Sequence, residues 1–405
     1  MKGHMSMNPQ KRAAVLALCF VVTVLEGYDL QSMGVAVPYM APDLGLSTKE
    51  IGIALSATMV GLMAGASFGG WLADRLGAGK VLAFASLIFG LATLMTVFAQ
   101  DVASLATMRI ATGIGVGAAL PNVMALLTAS IPPERRAFHG MAIFCGFPLG
   151  AIFAALVLKI WPDLPWQGIF LIGGVPPILL APFIWRIVAG PQTGAVPTLK
   201  GEPDNNPMTL LFGGGRALLT LTIWAAFCTV LLLLYLFMNW LPALIVAQGF
   251  APSAGASAVL SFNVGSIIGA LILGYCVDRF GLRWPSLVAF VILGLSITWL
   301  GKVADIPMIL LASALVGSTV VGSQFVLYSI SAGYYPEWGR GLGGGAAVAV
   351  GRLGAIIGPL AVGFLLADGM TGQDIMLSLT PFVVLAGIAF LVLSVFKTED
   401  AKKAS

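Results

Sequence analysis

Charge is what this sequence has least of. Asp, Glu, Lys and Arg make up 9% of its 405 residues, against about a quarter in a soluble protein, which excludes a globule coated with ionised side chains. Histidine is almost absent: His4 lies in the N-terminal tail and His139 in a loop, neither beside a nucleophile. With no HExxH helix and no GxxxxGK[ST] loop, a zinc peptidase and a nucleotide-driven pump drop out, and no enzyme activity is expected. The four cysteines (Cys19, Cys145, Cys228 and Cys276) stand singly inside apolar runs without a CxxC pair. They read as small core hydrophobes, so neither a metal nor a disulfide is expected, and no cofactor. No dense basic stripe accompanies the net charge of +4, which excludes nucleic acid as a partner. The longest polar stretch, 189–215, is too short for a signalling domain.

What is present is apolar sequence. Hydrophobic residues make up 59% of the chain, and the mean hydropathy is +0.98. The 50 glycines suit helices that approach one another closely in lipid. A span needs roughly 20 mostly apolar residues. Breaking the chain at charged and Pro/Gly-rich points gives 13–38, 49–72, 80–99, 103–128, 138–160 and 167–188, then 216–241, 253–275, 284–301, 306–331, 341–366 and 375–396. The expected fold is therefore an all-α membrane protein of twelve transmembrane helices. Its divisions are an N-terminal six-helix half (1–188), a cytoplasmic linker (189–215), a C-terminal six-helix half (216–396) and a cytoplasmic tail (397–405). The linker, rich in Pro, Gly and Asn, is not expected to be helical. Lys2 to Arg12 followed by apolar 13–25 resembles a secretory leader, but Glu26 and Asp29 interrupt it, so an uncleaved first span is expected.

Basic residues set the orientation. With an even number of spans both termini share a side, and that side holds 16 of the 21 Lys and Arg residues: Lys2, Lys11, Arg12, Arg75, Lys80, Arg135, Arg136, Arg186, Lys200, Arg216, Arg279, Arg283, Arg340, Lys397, Lys402 and Lys403. Lys49, Lys159 and Lys302 fall on the other. Positive loops stay in the cytoplasm, so both tails are expected inside.

The two halves repeat. Gly70-Trp-Leu-Ala-Asp74-Arg75-Leu-Gly77 returns as Gly274-Tyr-Cys-Val-Asp278-Arg279-Phe-Gly281 at an offset of 204, and Leu149-Gly-Ala-Ile152 returns as Leu353-Gly-Ala-Ile356 at the same offset. Pro133-Glu134 recurs as Pro336-Glu337, offset by 203. A duplicated six-helix unit is how many secondary transporters build two pseudo-symmetric halves. The glycines of the GxxxDRxG element allow close helix contact and a turn. Its Asp and Arg suit bonds to helix ends or to the other half, as in an inner gate. Together with Arg109-xxx-Gly113-x-Gly115-x-Gly117, the two elements resemble the major facilitator superfamily. That resemblance covers the whole chain and implies its fold and a carrier function by alternating access.

Four charges fall inside spans: Glu26, Asp29, Arg109 and Arg352. Each costs roughly 2.5–3.5 kcal/mol at mid-span, so each should be paired, wet or functional. Glu26 and Asp29 share a helix face. Two carboxylates that close repel, a shared proton relieves the repulsion, and the pair is a candidate proton carrier. Asp29 and Arg109 reach similar depths and can pair. Arg352, near the midplane with Glu26, either receives an anionic substrate through its guanidinium fork or pairs permanently with Glu26. At the 204 offset these charges map to Val230, Leu233, Ser313 and Pro148; a charge kept for the common fold would be expected twice.

Leu25-Glu26-Gly27-Tyr28-Asp29-Leu30-Gln31 resembles the acidic-Gly-x-Asp motif of the aromatic acid:proton symporter family. Gly117-Ala-Ala-Leu-Pro121-Asn122 and Gly351-Arg352-Leu353-Gly354-Ala355-Ile356 agree with it. Asn239-Trp240-Leu241-Pro242, followed by Gln248-Gly249-Phe250, is similar to the hydroxyphenylpropionate branch, which shares Glu at the first acid. The resemblance implies proton coupling at Glu26 and Asp29, carboxylate contact at Arg352, and a small aromatic carboxylate and a proton as partners, in a bacterial inner membrane. A monomer is expected. An aromatic ligand needs ring walls and a few polar contacts. Candidates beside Arg352 and Arg109 are Tyr28, Phe144, Phe147, Asn122, Asn239, Trp240, Asn263, Gln324, Phe325 and Tyr328, each open to a packing role instead. An aliphatic or N-heterocyclic carboxylate, or proton-coupled drug extrusion, is the alternative.

Overall fold

A computed structural model of the chain describes residues 8–131, 139–140, 142–188, 207–302, 305–336 and 339–396. The Pro133-Glu134 anchor, Glu337, His4, Lys2, Arg135, Arg136, Lys200, Lys397, Lys402, Lys403, the tail 397–405 and linker positions 189–206 lie outside these. Among the described residues there is no strand, and twelve helices are long and apolar enough to cross a membrane. They are α1 (Pro9–Asp43), α2 (Thr48–Leu76), α3 (Ala78–Phe98), α4 (Val102–Ser130), α5 (Ala142–Ile160), α6 (Trp166–Val188), α7 (Ala217–Ala247), α8 (Pro252–Phe280), α9 (Arg283–Leu300), α10 (Ile306–Tyr334), α11 (Arg340–Ala367) and α12 (Gly372–Leu393). Each contains one of the twelve apolar runs almost whole.

The chain divides into two compact units, Met1–Leu46 with Ala57–Thr198, and Ser47–Ser56 with Leu199–Ser405. In the second, the first turns of α2 lie on α11: Ser56 donates to the Ile356 carbonyl at 2.8 Å, and Lys49 stands 4.5 Å over the Phe364 ring. Part of the linker departs from expectation. Pro207–Phe212 is a short helix, started by proline and held by apolar burial of Leu210 and Leu211. Its free carbonyls are taken by side chains further along: Arg216 Nε donates to Leu210 at 3.1 Å and Thr220 Oγ1 to Leu211 at 2.6 Å.

The repeat extends from sequence to contacts. Asp101 caps α4 by accepting from the Ser104 amide at 2.7 Å, and Asp305, 204 residues on, caps α10 by accepting from Met308 at 2.9 Å. The Ser104 amide holds the Asp101 carboxyl below its ordinary value. Glycines crossing α2 onto α4, and α8 onto α10, are matched pair by pair. A Cβ on Gly61 would strike the Ile110 carbonyl, and on Gly265 the Ala314 carbonyl; on Gly113 it would strike Thr58, and on Gly317 Phe262. Gly150 meets the Val24 carbonyl of α1 as Gly354 meets the Cys228 carbonyl of α7. Every partner pair keeps the 204 offset. Without hydrophobic driving force between helices in lipid, such backbone-to-backbone approach supplies the association.

Backbone carbonyls cannot give way, and overpacking a tight contact costs about 1–3 kcal/mol. Gly113→Val and Gly317→Val are therefore each expected to reduce the yield of monodisperse protein in detergent several-fold. Within its own unit a Cβ at Gly70 meets nothing within 4 Å, so Gly70→Ala should leave that yield unchanged. Gel filtration of the three variants checks the contrast.

Candidate functional site

In the first unit α1, α3, α4 and α6 surround a polar cluster. Asp29 and Arg109 are both fully buried, with Arg109 Nη1 3.6 Å from Asp29 Oδ2. Thr93 donates to Asp29 Oδ1 at 2.5 Å. Arg109 Nη2 donates to Thr96 Oγ1 and to Thr112 Oγ1, each at 3.0 Å. Those two hydroxyls donate onward to carbonyls of their own helices, Ala92 and Met108, leaving lone pairs free for the arginine. The guanidinium stands 5.2 Å over the Phe170 ring. Two opposite charges, three threonines and one aromatic face thus form one set, in which Asp29 Oδ2, Arg109 Nε and Arg109 Nη1 make no hydrogen bond among the described residues.

Glu26, three residues before Asp29 on α1, is also fully buried. Neither of its carboxylate oxygens has a hydrogen-bond partner among the described residues. The two acids expected to act as a pair therefore sit in opposite surroundings. Tyr28 between them packs away: its hydroxyl donates to the Ile169 carbonyl at 3.0 Å and its ring lies against Gly173.

The second unit holds Arg352 on α11, 8% exposed. Gly351 and Gly354 bring α11 against Phe227, Cys228 and Leu231 of α7, so the arginine reaches one turn further along α7. There Nη1 donates to the Tyr235 hydroxyl at 3.0 Å. Tyr328 of α10 lies near Arg352, Tyr235 and Gln324. Its ring stands edge-on to Phe227, centroids 5.4 Å apart. Arg352, Tyr235, Tyr328 and Gln324 are thus one neighbourhood. Tyr235 went unnoticed in the sequence, where it is one aromatic in the run Leu231-Leu-Leu-Leu-Tyr-Leu-Phe237; only the glycine crossing gives it a cation.

Other expected pocket residues are spent locally. Asn122, Asn239 and Asn263 donate to carbonyls four residues back, Ala118, Tyr235 and Val259, at 2.7, 2.7 and 2.9 Å. Asn122 also donates to the Gly69 carbonyl at 3.4 Å, so the amide oxygens of all three, and the second N–H of Asn239 and Asn263, are what remain for a ligand. Trp240 is 1% exposed and its indole N–H donates to the Pro359 carbonyl at 2.9 Å, and Arg109 is fully buried beside Asp29, Thr96 and Thr112. The string Gly65-Ala-Ser67-Phe-Gly69 has the spacing of a hydrolase nucleophile elbow, but it lies within α2, with Ser67 donating to the Met63 carbonyl at 3.1 Å, where no strand-to-helix turn exists.

At the GxxxDRxG elements the glycines divide. Gly77 and Gly281 have φ of +90° and +74°, the left-handed turn that glycine permits. Gly70 and Gly274, expected at close helix contacts, have nothing within 4 Å of a Cβ in their own units. Arg75 lies 3.9 Å over the Trp71 ring, and Arg279 donates to the Tyr275 hydroxyl at 2.8 Å; both arginines fold back on the aromatic residue four before. Asp74 and Asp278 sit one position earlier on the same helix ends.

The Major Facilitator Superfamily profile matches the chain twice, over residues 19–262 and 247–405. The chain belongs to that superfamily. The 3-(3-hydroxy-phenyl)propionate transporter of Escherichia coli (strain K12) is 36% identical over 96% of this chain and 95% of its own length. A gallate transporter of Pseudomonas putida is 33% identical over 88% of this chain and 86% of its own. A bacterial homologue of the human lysosomal transporter Spinster shares the fold, with a TM-score of 0.75 at 16% identity, over 96% of this chain and 98% of that one. The superfamily and these relatives are transporters, so this member is a multi-pass membrane transport protein and not an enzyme.

Proposed function

We propose that the chain is a proton-coupled symporter that takes an aromatic carboxylate, such as a hydroxyphenylpropionate or hydroxybenzoate, into the cell by alternating access. It works as a monomer in a bacterial inner membrane with both termini cytoplasmic, the side that holds the basic excess. One observation carries the substrate class: Arg352 is nearly buried beside two phenols, and among the described residues of its unit it has no carboxylate partner. A guanidinium so placed accepts an organic anion, and Tyr328 with Phe227 gives that anion's ring an aromatic edge. The transporters of 3-(3-hydroxy-phenyl)propionate and gallate among the relatives support an aromatic acid.

Of the two acids, Glu26 is assigned the proton. A buried carboxylate without a partner is costly as an anion, whereas Asp29 has Arg109 and Thr93 and acts beside it as a fixed charge. Asp74, Arg75, Asp278 and Arg279, with their glycine turns, are assigned to the cytoplasmic gate. Gln324 and Tyr328, and the amide oxygens of Asn122, Asn239 and Asn263, are assigned to substrate contacts.

Uptake of radiolabelled 3-(3-hydroxyphenyl)propionate into proteoliposomes, with and without an inward proton gradient, tests the reading. Accumulation should require the gradient and be displaced by aromatic acids but not by nicotinate, aliphatic acids or cationic drugs. Glu26→Gln should abolish gradient-driven accumulation while keeping substrate exchange between preloaded and external pools. Accumulation by that variant at the wild-type level would take the proton away from Glu26.

A further inference from the structure

The Arg352 neighbourhood contains a second donor for the substrate. The Tyr235 hydroxyl accepts from Arg352 Nη1 at 3.0 Å, and a hydroxyl that accepts one bond still has its own proton to give. No acceptor for that proton is found among the described residues. Tyr235 is held from both ends: the Asn239 amide donates to its carbonyl at 2.7 Å, and the crossing at Gly351 and Gly354 fixes α11 against α7 one turn before it. It is 7% exposed, so its phenol has little water to satisfy it.

We propose that Tyr235 is a substrate-binding residue that donates its O–H to the same carboxylate that Arg352 pairs, so that the anion is gripped by one guanidinium and one phenol. This rests on the aromatic carboxylate reading above and names the residue that distinguishes a carboxylate from an isosteric neutral group. A carboxylate accepts from both donors. A carboxamide presents an N–H₂ to one of them and leaves it unmatched, and a site built for hydrogen bonding rejects such mismatches strongly. Arg352 alone would attract any anion; the phenol, fixed relative to it, sets the angle of the fork.

The test is equilibrium binding to purified full-length protein in detergent, with 3-(3-hydroxyphenyl)propionate and its carboxamide as probes, for wild type and Tyr235→Phe. A hydrogen bond to a charged group is worth about 1.5–3 kcal/mol, or roughly 10- to 150-fold in affinity. The variant should lose at least about tenfold in affinity for the acid and change little for the amide, with an unchanged unfolding midpoint as the check on folding. Equal weakening for acid and amide would make Tyr235 a mere packing residue, and no weakening for either would remove it from the site; both overturn the proposal. If wild type binds neither the acid nor other aromatic carboxylates, the substrate reading itself has failed. Binding by wild type with an indifferent Tyr235→Phe defeats only the present inference.

Discussion

Arg352→Ala should abolish uptake of the aromatic acid while leaving the protein in the membrane at its usual level. Both halves of that result follow from the arginine's partners. Arg352 donates to Tyr235, a neutral group, and no carboxylate of its unit among the described residues depends on it. Its removal therefore strands no buried charge, and a well-behaved protein remains. For the substrate the loss is larger. Taking away one member of a desolvated charge pair costs about 2–5 kcal/mol, a roughly 30-fold to several-thousand-fold drop in affinity, enough to end uptake at micromolar substrate. Arg352→Lys separates charge from geometry: it keeps the cation but loses the planar fork, and about tenfold or greater weakening is expected. Uptake by Arg352→Ala at the wild-type rate would exclude the residue from the substrate's path.

The helices were legible because lipid leaves the sequence few options. Apolar runs of the right length, bounded by charges, can only be spans, and all twelve appear as helices. The repeat was legible in its turns, where Asp-Arg and glycine must recur to make the same corner. Its deeper part was not. The matched crossings of Gly61 on Ile110 and Gly265 on Ala314 involve one conserved residue type against partners that share only a backbone carbonyl, and a backbone contact leaves no mark on the partner's side chain. The short helix Pro207–Phe212 was hidden for a different reason: six residues carry no periodicity, and its stability comes from burying Leu210 and Leu211, Leu210 beside Gly339 far along the chain.

The buried charges show the same limit. Their residue types and depth pointed to function, and the pairing of Asp29 with Arg109 was open from depth alone. What spacing on one helix face could not supply was the difference between Glu26 and Asp29, because it lies in Thr93, Thr96, Thr112 and Phe170, three common threonines and a phenylalanine from other helices. Tyr235 escaped for the converse reason, as an aromatic inside an apolar run that only the packing of α7 on α11 brings to a cation.

The largest effect on stability should come from the other arginine. Arg109→Met keeps an unbranched, flexible side chain without the charge but leaves Asp29 fully buried, with the Thr93 hydrogen bond still in place. Breaking a buried pair in this way costs about 3–5 kcal/mol, whereas replacing both members with neutral groups is often close to harmless. The second half of the chain already carries such a replacement. At the 204 offset Asp29, Thr93, Thr96, Arg109 and Thr112 become Leu233, Ile297, Leu300, Ser313 and Val316, all of them buried, on helices that repeat the same glycine crossings. The architecture therefore stands without these charges, and the cluster is kept for what it does. Arg109→Met is expected to lower the unfolding midpoint in detergent by many degrees and to deplete the protein from the membrane. The double variant Asp29→Asn/Arg109→Met should recover most of the midpoint while remaining inactive in gradient-driven uptake. A double variant no more stable than Arg109→Met would mean that the arginine acts through its packing on Phe170 and its threonines, and not through the charge it shares with Asp29.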